Sequence, residues 1–182
     1  HARLFEPWQA AQMGNALSPF HPLFFEEPIR PENIEAWGQL KAKLTVPLAT
    51  GESLYSRFEF LRLLQCAGAD IIQPDVCVVG GLLEMRKIAA IAEAFYVPVA
   101  PHNPMGPLAT AVNVHFAAAC PNFKILEYRL PGSAAYLSEN QLQSEQEMSY
   151  VCDPYLPVDG HLELRPDQAG WGVKIDETYL QT

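Results

Sequence analysis

Basic residues are scarce in this chain: 12 lysines and arginines stand against 21 aspartates and glutamates, a formal net charge of −9 over 182 residues. Nucleic acid and anionic membrane surfaces both need clustered Lys and Arg, so this balance excludes them as main partners. An anionic small molecule remains compatible with it, provided a metal cation supplies local positive charge. Long apolar runs are missing too. None approaches the roughly 20 residues of a membrane-spanning helix, and no basic stretch followed by an apolar one opens the chain. Cysteine is sparse: Cys66, Cys77, Cys120 and Cys152 lie far apart, with no CxxC pair. Zinc sites want tighter spacing, and disulfide scaffolds are shorter and richer in cysteine. The four therefore read as small buried apolar residues of a cytoplasmic protein. GxGxxG, GKS/T and GxSxG are all absent. Gly80-Gly81 lies before a helical stretch and reads as close strand–helix packing rather than a phosphate cradle.

What the chain does have is a rhythm. His1, Glu26, Glu52, Asp75, His102 and Glu127 follow one another at intervals of 25, 26, 23, 27 and 25 residues. Each of the last five closes a short apolar, strand-like run and precedes a helix-like segment. One βα unit takes about that many residues, so the pattern places one reactive side chain at the same end of successive parallel strands. In a (β/α)8 barrel that end, the C-terminal face, carries the active site.

The units can be taken in order. Pro7 suits the first position of a helix over 6–17. Pro22–Phe25 runs into Glu26, and residues 31–44 read as a helix with Ile34, Trp37, Leu40 and Leu44 on one face. Val46–Ala49 leads to Thr50-Gly51-Glu52, and Ser56 is placed to cap a helix bearing Phe60, Leu61 and Leu64. Residues 69–75 end at Asp75 before a helix from Gly81 to about Phe95. Residues 97–102 end at His102 before a helix over 108–119, and residues 123–127 end at Glu127. Strands alternating with helices imply right-handed crossovers and a parallel sheet. The predicted organisation is βα units over 1–129, the third to eighth strands of the barrel, and a Pro- and Gly-rich C-terminal arm over 130–182. In the arm, Val158-Asp-Gly-His161 carries a hairpin-turn signal. A closed barrel takes about 250 residues and the chain begins at His1, not Met, so the expectation is a barrel portion lacking the first strands.

Glu26 and Glu52 end adjacent strands, where two hard carboxylates suit Mg2+; the same positions also suit carboxylates facing helix N-termini. Asp75 and His102 form a pair in which the carboxylate fixes the imidazole tautomer and raises its basicity, as a general base requires. A structural histidine is the other reading, and His21, His115 and His161, all out of phase, are assigned to it. Glu127 is either a donor to a developing oxyanion or half of a structural ion pair.

Phe24-Phe-Glu-Glu-Pro28, Ala49-Thr-Gly-Glu52, Asp70-Ile-Ile-Gln-Pro-Asp75, Val79-Gly-Gly81, Ala100-Pro-His-Asn-Pro-Met-Gly-Pro107 and Gly170-Trp-Gly-Val-Lys-Ile-Asp176 together resemble the enolase superfamily. Within it they resemble the mandelate racemase subgroup, and most closely the galactonate dehydratase-like sugar-acid dehydratases. Sites of that superfamily pair a Lys or His base with Mg2+, and here no lysine ends a strand. The resemblance implies a barrel with a separate capping domain on which the C-terminal arm packs. It makes Glu26 and Glu52 two of three Mg2+ ligands, the third lying upstream of His1. His102, poised by Asp75, becomes the base for the C2 proton, Glu127 the oxyanion donor, and His1 the acid for the departing C3 hydroxyl. The implied reaction is dehydration of a galactonate-like sugar acid to a 2-keto-3-deoxy acid, in a homo-oligomer. Its alternatives are a racemase or epimerase of a 2-hydroxy acid on the same scaffold, or an inactive fragment short of a metal ligand.

Overall fold

The computed structural model describes Arg3, residues 5–129 and residues 150–181. They fall into two compact units, His1–His102 with Cys120–Ile125, and Asn103–Ala119 with Leu126–Thr182.

The first unit is a run of βα repeats. Helix α1 (Pro7–Leu17) begins where Pro7 needs no amide donor and where Gln9 Oε1 accepts the Glu6 N–H at 3.0 Å. Strand β1 (Phe25–Glu26) leads to α2 (Ile34–Lys41), β2 (Leu48–Thr50) to α3 (Arg57–Gln65), and β3 (Ile71–Ile72) to α4 (Leu82–Ala94). The strands pair in chain order, all parallel: Phe25 with Leu48, Glu26 with Ala49, Ala49 with Ile71 and Thr50 with Ile72. Two further segments extend this order as single parallel bridges, Ile72 with Val99 and Val99 with Phe123. They do not form the predicted strands, because Pro98 and Pro101 bring no N–H to the ladder. The helices pack in sequence, α1 on α2, α2 on α3, α3 on α4. They bury Trp37 and Leu40 from α2, Phe60, Leu63 and Leu64 from α3, and Met85 and Ile88 from α4.

Helix boundaries follow local chemistry. Helix α2 is shorter than the predicted 31–44 because Asn33 Oδ1 accepts the Ala36 N–H and starts it late. At its far end Lys43 and Leu44 bond back in turns. Helix α3 opens at Ser56 as predicted, in a capping box with Glu59, and buries Phe60, Leu63 and Leu64.

In the second unit, α5 (Pro107–Ala118) buries Ala111 and Val114 against Tyr155, with Leu126, Leu162 and Val173 around them. Residues 150–181 are irregular apart from a 3-10 turn at Tyr179–Gln181, tied by antiparallel bridges between Val151 and Ile175 and between Val158 and His161. The latter closes a two-residue turn with positive φ at Asp159 (49°) and Gly160 (78°), the primed geometry that matches strand twist.

Two expectations are corrected. Gly80 and Gly81 do not mark close packing, since nothing lies within 4 Å of a Cβ built on either. Their φ angles of 91° and 98° are the reason for glycine there. Nor are the cysteines buried: Cys77 and Cys152 are exposed, Cys66 and Cys120 half-buried, all four free. Among the described residues no helix is long and apolar enough to cross a membrane.

Candidate active site

The parallel ladder of the first unit delivers its polar residues to one set of strand ends. Glu26 is the last residue of β1, half-buried and in register with Ala49. Glu52 follows β2 after Thr50 and Gly51 and is buried. Asp75 lies just past β3, and its backbone is bridged in parallel to that of His102. The register decides what meets: Asp75 Oδ2 lies 2.9 Å from His102 Nδ1. Asp75 Oδ1 accepts the Cys77 N–H at 2.7 Å, which fixes the carboxylate plane.

An ionised carboxylate only accepts, so Nδ1 of a neutral His102 donates and the lone pair sits on Nε2. That atom lies 3.5 Å from Glu52 Oε2. Glu52 also takes the guanidinium of Arg3 on Oε1. Of these two contacts only Arg3 brings positive charge to the Glu52 carboxylate, since a neutral His102 turns a lone pair toward it. Among the described residues no group of three or more His, Cys, Asp or Glu is arranged to hold a metal ion.

Glu127 belongs to the second unit, where Oε2 accepts the Asn103 backbone N–H at 2.8 Å. Buried Asn103 is held in turn. Its Nδ2 donates to Thr110 Oγ1 (2.9 Å) and to the Glu127 carbonyl (3.0 Å), and its Oδ1 accepts from Asn113 Nδ2 (3.0 Å). His1 lies outside the described residues. The out-of-phase histidines are elsewhere: His21 ends a short 3-10 turn (Ser18–Phe20). His115 on α5 stands edge-on to Trp171 at 5.4 Å, and His161 Nδ1 is 2.9 Å from the Asp159 carbonyl.

Sequence reasoning passed over Glu27. It is fully buried, its Oε2 accepts from the Thr50 hydroxyl and, at 3.3 Å, from the Gly51 N–H. Its φ is 38°, a left-handed conformation that costs a non-glycine residue about 1–3 kcal/mol and persists where surroundings over-determine it. Burial above all pushes its carboxyl above the ordinary carboxylate range; the Thr50 hydroxyl pulls it back, and the Glu52 charge adds to the rise. No periodic signal marked it, since Glu27 lies past the end of β1 with a left-handed backbone, where strand alternation does not set the direction of a side chain. Arg3 and Asn103 were also missed; Asn103 directly follows His102, and Arg3 lies two residues after His1.

A protein-family model described as enolase C-terminal domain-like matches residues 1–179. The chain belongs to that family. Its βα run is accordingly part of a TIM-barrel-like domain, as the spacing predicted. Curated relatives are named D-galactonate dehydratase: one from Variovorax paradoxus is 48% identical across 97% of this chain and 44% of its own length. Another, from Xanthomonas oryzae pv. oryzae, is 38% identical across 100% and 46%. Among solved structures of the family is an enolase from Agrobacterium radiobacter, proposed to be a galactarate dehydratase, with Na and L-malate bound. It is 64% identical, with a TM-score of 0.92 over 100% of this chain and 46% of that one. An enolase-superfamily member from Salmonella Typhimurium shares 30% identity with a TM-score of 0.87. The chain spans less than half the length of these curated relatives.

Proposed function

We propose that the intact protein dehydrates a sugar acid of the galactonate type to its 2-keto-3-deoxy acid. The observation that carries this reading is the Asp75–His102 pair at 2.9 Å, in a chain whose relatives bear the dehydratase name. Asp75 holds His102 with Nε2 unprotonated, the atom that takes the C2 proton. The electron pair released moves onto the substrate carboxylate to give an enediolate, which Glu127 stabilises by donating a hydrogen bond. The C3–O bond then breaks, His1 supplies the proton that turns the leaving hydroxyl into water, and a C2=C3 enol remains. Ketonisation of the enol yields the product.

Glu26 and Glu52 are the donors that would hold Mg2+. Two carboxylates suit it, since the ion usually completes its shell with waters and substrate, and the attraction of Arg3 to Glu52 fits that use. When bound, the ion supplies positive charge opposite the substrate carboxylate. The reading includes a cytoplasmic homo-oligomer acting on a small molecule, without nucleic acid or membrane partners, in which residues 130–182 pack toward a capping domain. The formal charge of −9 supports the choice of partner.

A second substrate reading is a sugar diacid, favoured by the 64% identical structure proposed as a galactarate dehydratase and holding a dicarboxylate. Screening the intact protein with Mg2+ against aldonic and aldaric acids, with semicarbazide detection of 2-keto acids, decides among these. Keto acid from a galactonate-like substrate supports the first reading and keto acid from diacids alone the second. A change in optical rotation without keto acid identifies an epimerase, and no conversion of any acid overturns both dehydratase readings.

A further inference from the structure

Glu26 ends β1 and Glu52 lies in the turn after β2, and something must hold the two in place if both are to serve one cation. We infer that Glu27 is the residue that does so, a positioning residue that locks the Glu26 strand end to the turn carrying Glu52. The inference rests on the reading of Glu26 and Glu52 as cation ligands.

Glu27 attaches at four points. Its backbone N–H donates to the Ala49 carbonyl at 3.0 Å, and its carbonyl accepts the Arg3 N–H at 3.1 Å. Its carboxylate receives the Thr50 hydroxyl and the Gly51 N–H. One residue therefore touches three successive rim segments, those bearing Arg3, Glu26 and Glu52. The turn it grips has little freedom: a Cβ on Gly51 would lie 2.8 Å from the Phe60 ring and 3.1 Å from the Gln73 nitrogen. Glu52 follows directly. Filling space alone does not call for an acid at this position, since an apolar side chain would fit a buried site better. The choice of Glu makes sense because one carboxylate oxygen serves a hydroxyl and an amide together. The left-handed backbone at Glu27 is the accompanying strain, and it turns the side chain of residue 27 toward β2 directly after Glu26.

The test is Mg2+ titration calorimetry on the intact protein, with Glu27→Ala, Glu27→Gln and Leu63→Ala beside the wild type. Loss of a residue that orients metal ligands weakens affinity by about 10–100-fold, and that is expected of Glu27→Ala. Glu27→Gln keeps an acceptor oxygen and is expected to bind Mg2+ close to wild type. Leu63→Ala, a core cavity in α3, lowers stability and leaves the Mg2+ Kd unchanged. A folded Glu27→Ala protein with wild-type Kd overturns the inference. Should that variant not fold, Thr50→Val removes the hydroxyl alone and is expected to weaken binding measurably, by less than Glu27→Ala; an unchanged Kd again overturns it. Hydrogen exchange of the Gly51 amide in Mg2+-free protein separates this from the cation reading. Exchange at least about tenfold faster in Glu27→Ala, restored in Glu27→Gln, supports the lock, because freeing a hydrogen-bonded amide lowers its local opening energy. Unaltered exchange overturns it. If Gly51 responds and the wild type binds no Mg2+, the lock stands and the cation reading falls.

Discussion

The two units of the chain keep their order by different means. In the first, short parallel strands satisfy one another's backbone groups, helices cover them, and stability is spread over a continuous core. Among the described residues of the second, most backbone outside α5 has no strand partner, and single side chains do the pairing. Arg165 is the chief of these: Nη1 donates to the carbonyls of Asp153 (2.7 Å) and Gly172 (2.8 Å), Nη2 to that of Pro154 (3.0 Å). Its guanidinium also lies 4.2 Å from the centre of the Tyr155 ring, and Tyr128 Oη donates to the Tyr155 carbonyl at 2.8 Å. Repetition distributes the holding interactions; irregular chain concentrates them. Most of the proposed site residues lie at the strand ends of the first unit. In the second, Glu127 is proposed for the site, while Arg165, Tyr128 and Asn103 hold backbone in place.

The sharpest way to break this contrast is through the strand ends. His102→Asn in the intact protein is expected to lower turnover by roughly 10²–10⁴-fold, the range for loss of a general base, measured as keto-acid formation at saturating substrate. Its melting temperature should stay near wild type, because the ring is part-exposed and its neighbours are polar. A large loss of stability with turnover preserved would make His102 a structural residue and erase the distinction.

In the core the effect moves to stability. Trp37 is 1% exposed, and Trp37→Ala is expected to cost about 3–5 kcal/mol in urea unfolding, the range for large-to-small aromatic truncation. Because the first unit shares one core, hydrogen exchange should rise across α2, α3 and the strands together. A rise confined to α2 would show that the unit is not cooperative.

Arg165→Leu probes the other regime. Three carbonyls lose a charged donor and can recover water only in part, so a loss of about 2–3 kcal/mol is expected. Faster exchange should be confined to residues 150–155 and 170–175. Arg165→Lys should rescue little, since an ammonium lacks the planar fork that reaches three acceptors at once. Full rescue by lysine would mean that charge, not geometry, holds the second unit.

The same contrast explains what could be read from the sequence. The 25-residue rhythm exposed the βα units because each repeat must bury a strand and one helix face, and burial leaves a periodic apolar trace. Asp75 and His102 were legible for the same reason, each closing its repeat. Glu27 was not, because a buried acid adjoining an assigned one leaves no periodic trace; only the partner strand's Thr50 and Gly51 explain it. The roles of Arg165 and Asn103 were also hidden, since a guanidinium or an amide serving carbonyls distant in the chain has no local signature. Pro98 and Pro101 are legible in the sequence as residues without an N–H for the ladder, which is why bridges stand there in place of a strand.

The smallest effect expected lies at the start of α3. Glu59 Oε2 there accepts the N–H groups of Tyr55 (3.0 Å) and Ser56 (2.8 Å) and the Ser56 hydroxyl (2.9 Å), whereas Ser56 Oγ accepts the Glu59 N–H only at 3.5 Å. A capping serine ordinarily contributes about 1 kcal/mol. In this box the reciprocal residue carries more of the load, because two amides at the helix entrance depend on it and its charge faces the positive end of the helix. Ser56→Ala is therefore expected to cost about 0.5 kcal/mol, toward the low end of capping effects, and Glu59→Ala about 1–2 kcal/mol. Urea unfolding of the two variants gives the order directly. Equal losses, or a larger one for Ser56→Ala, would mean that the 3.5 Å contact shortens in solution and that the serine is the cap proper. Either way exchange over residues 150–175 should not change, since a frayed helix start in a unit with a distributed core remains a local event.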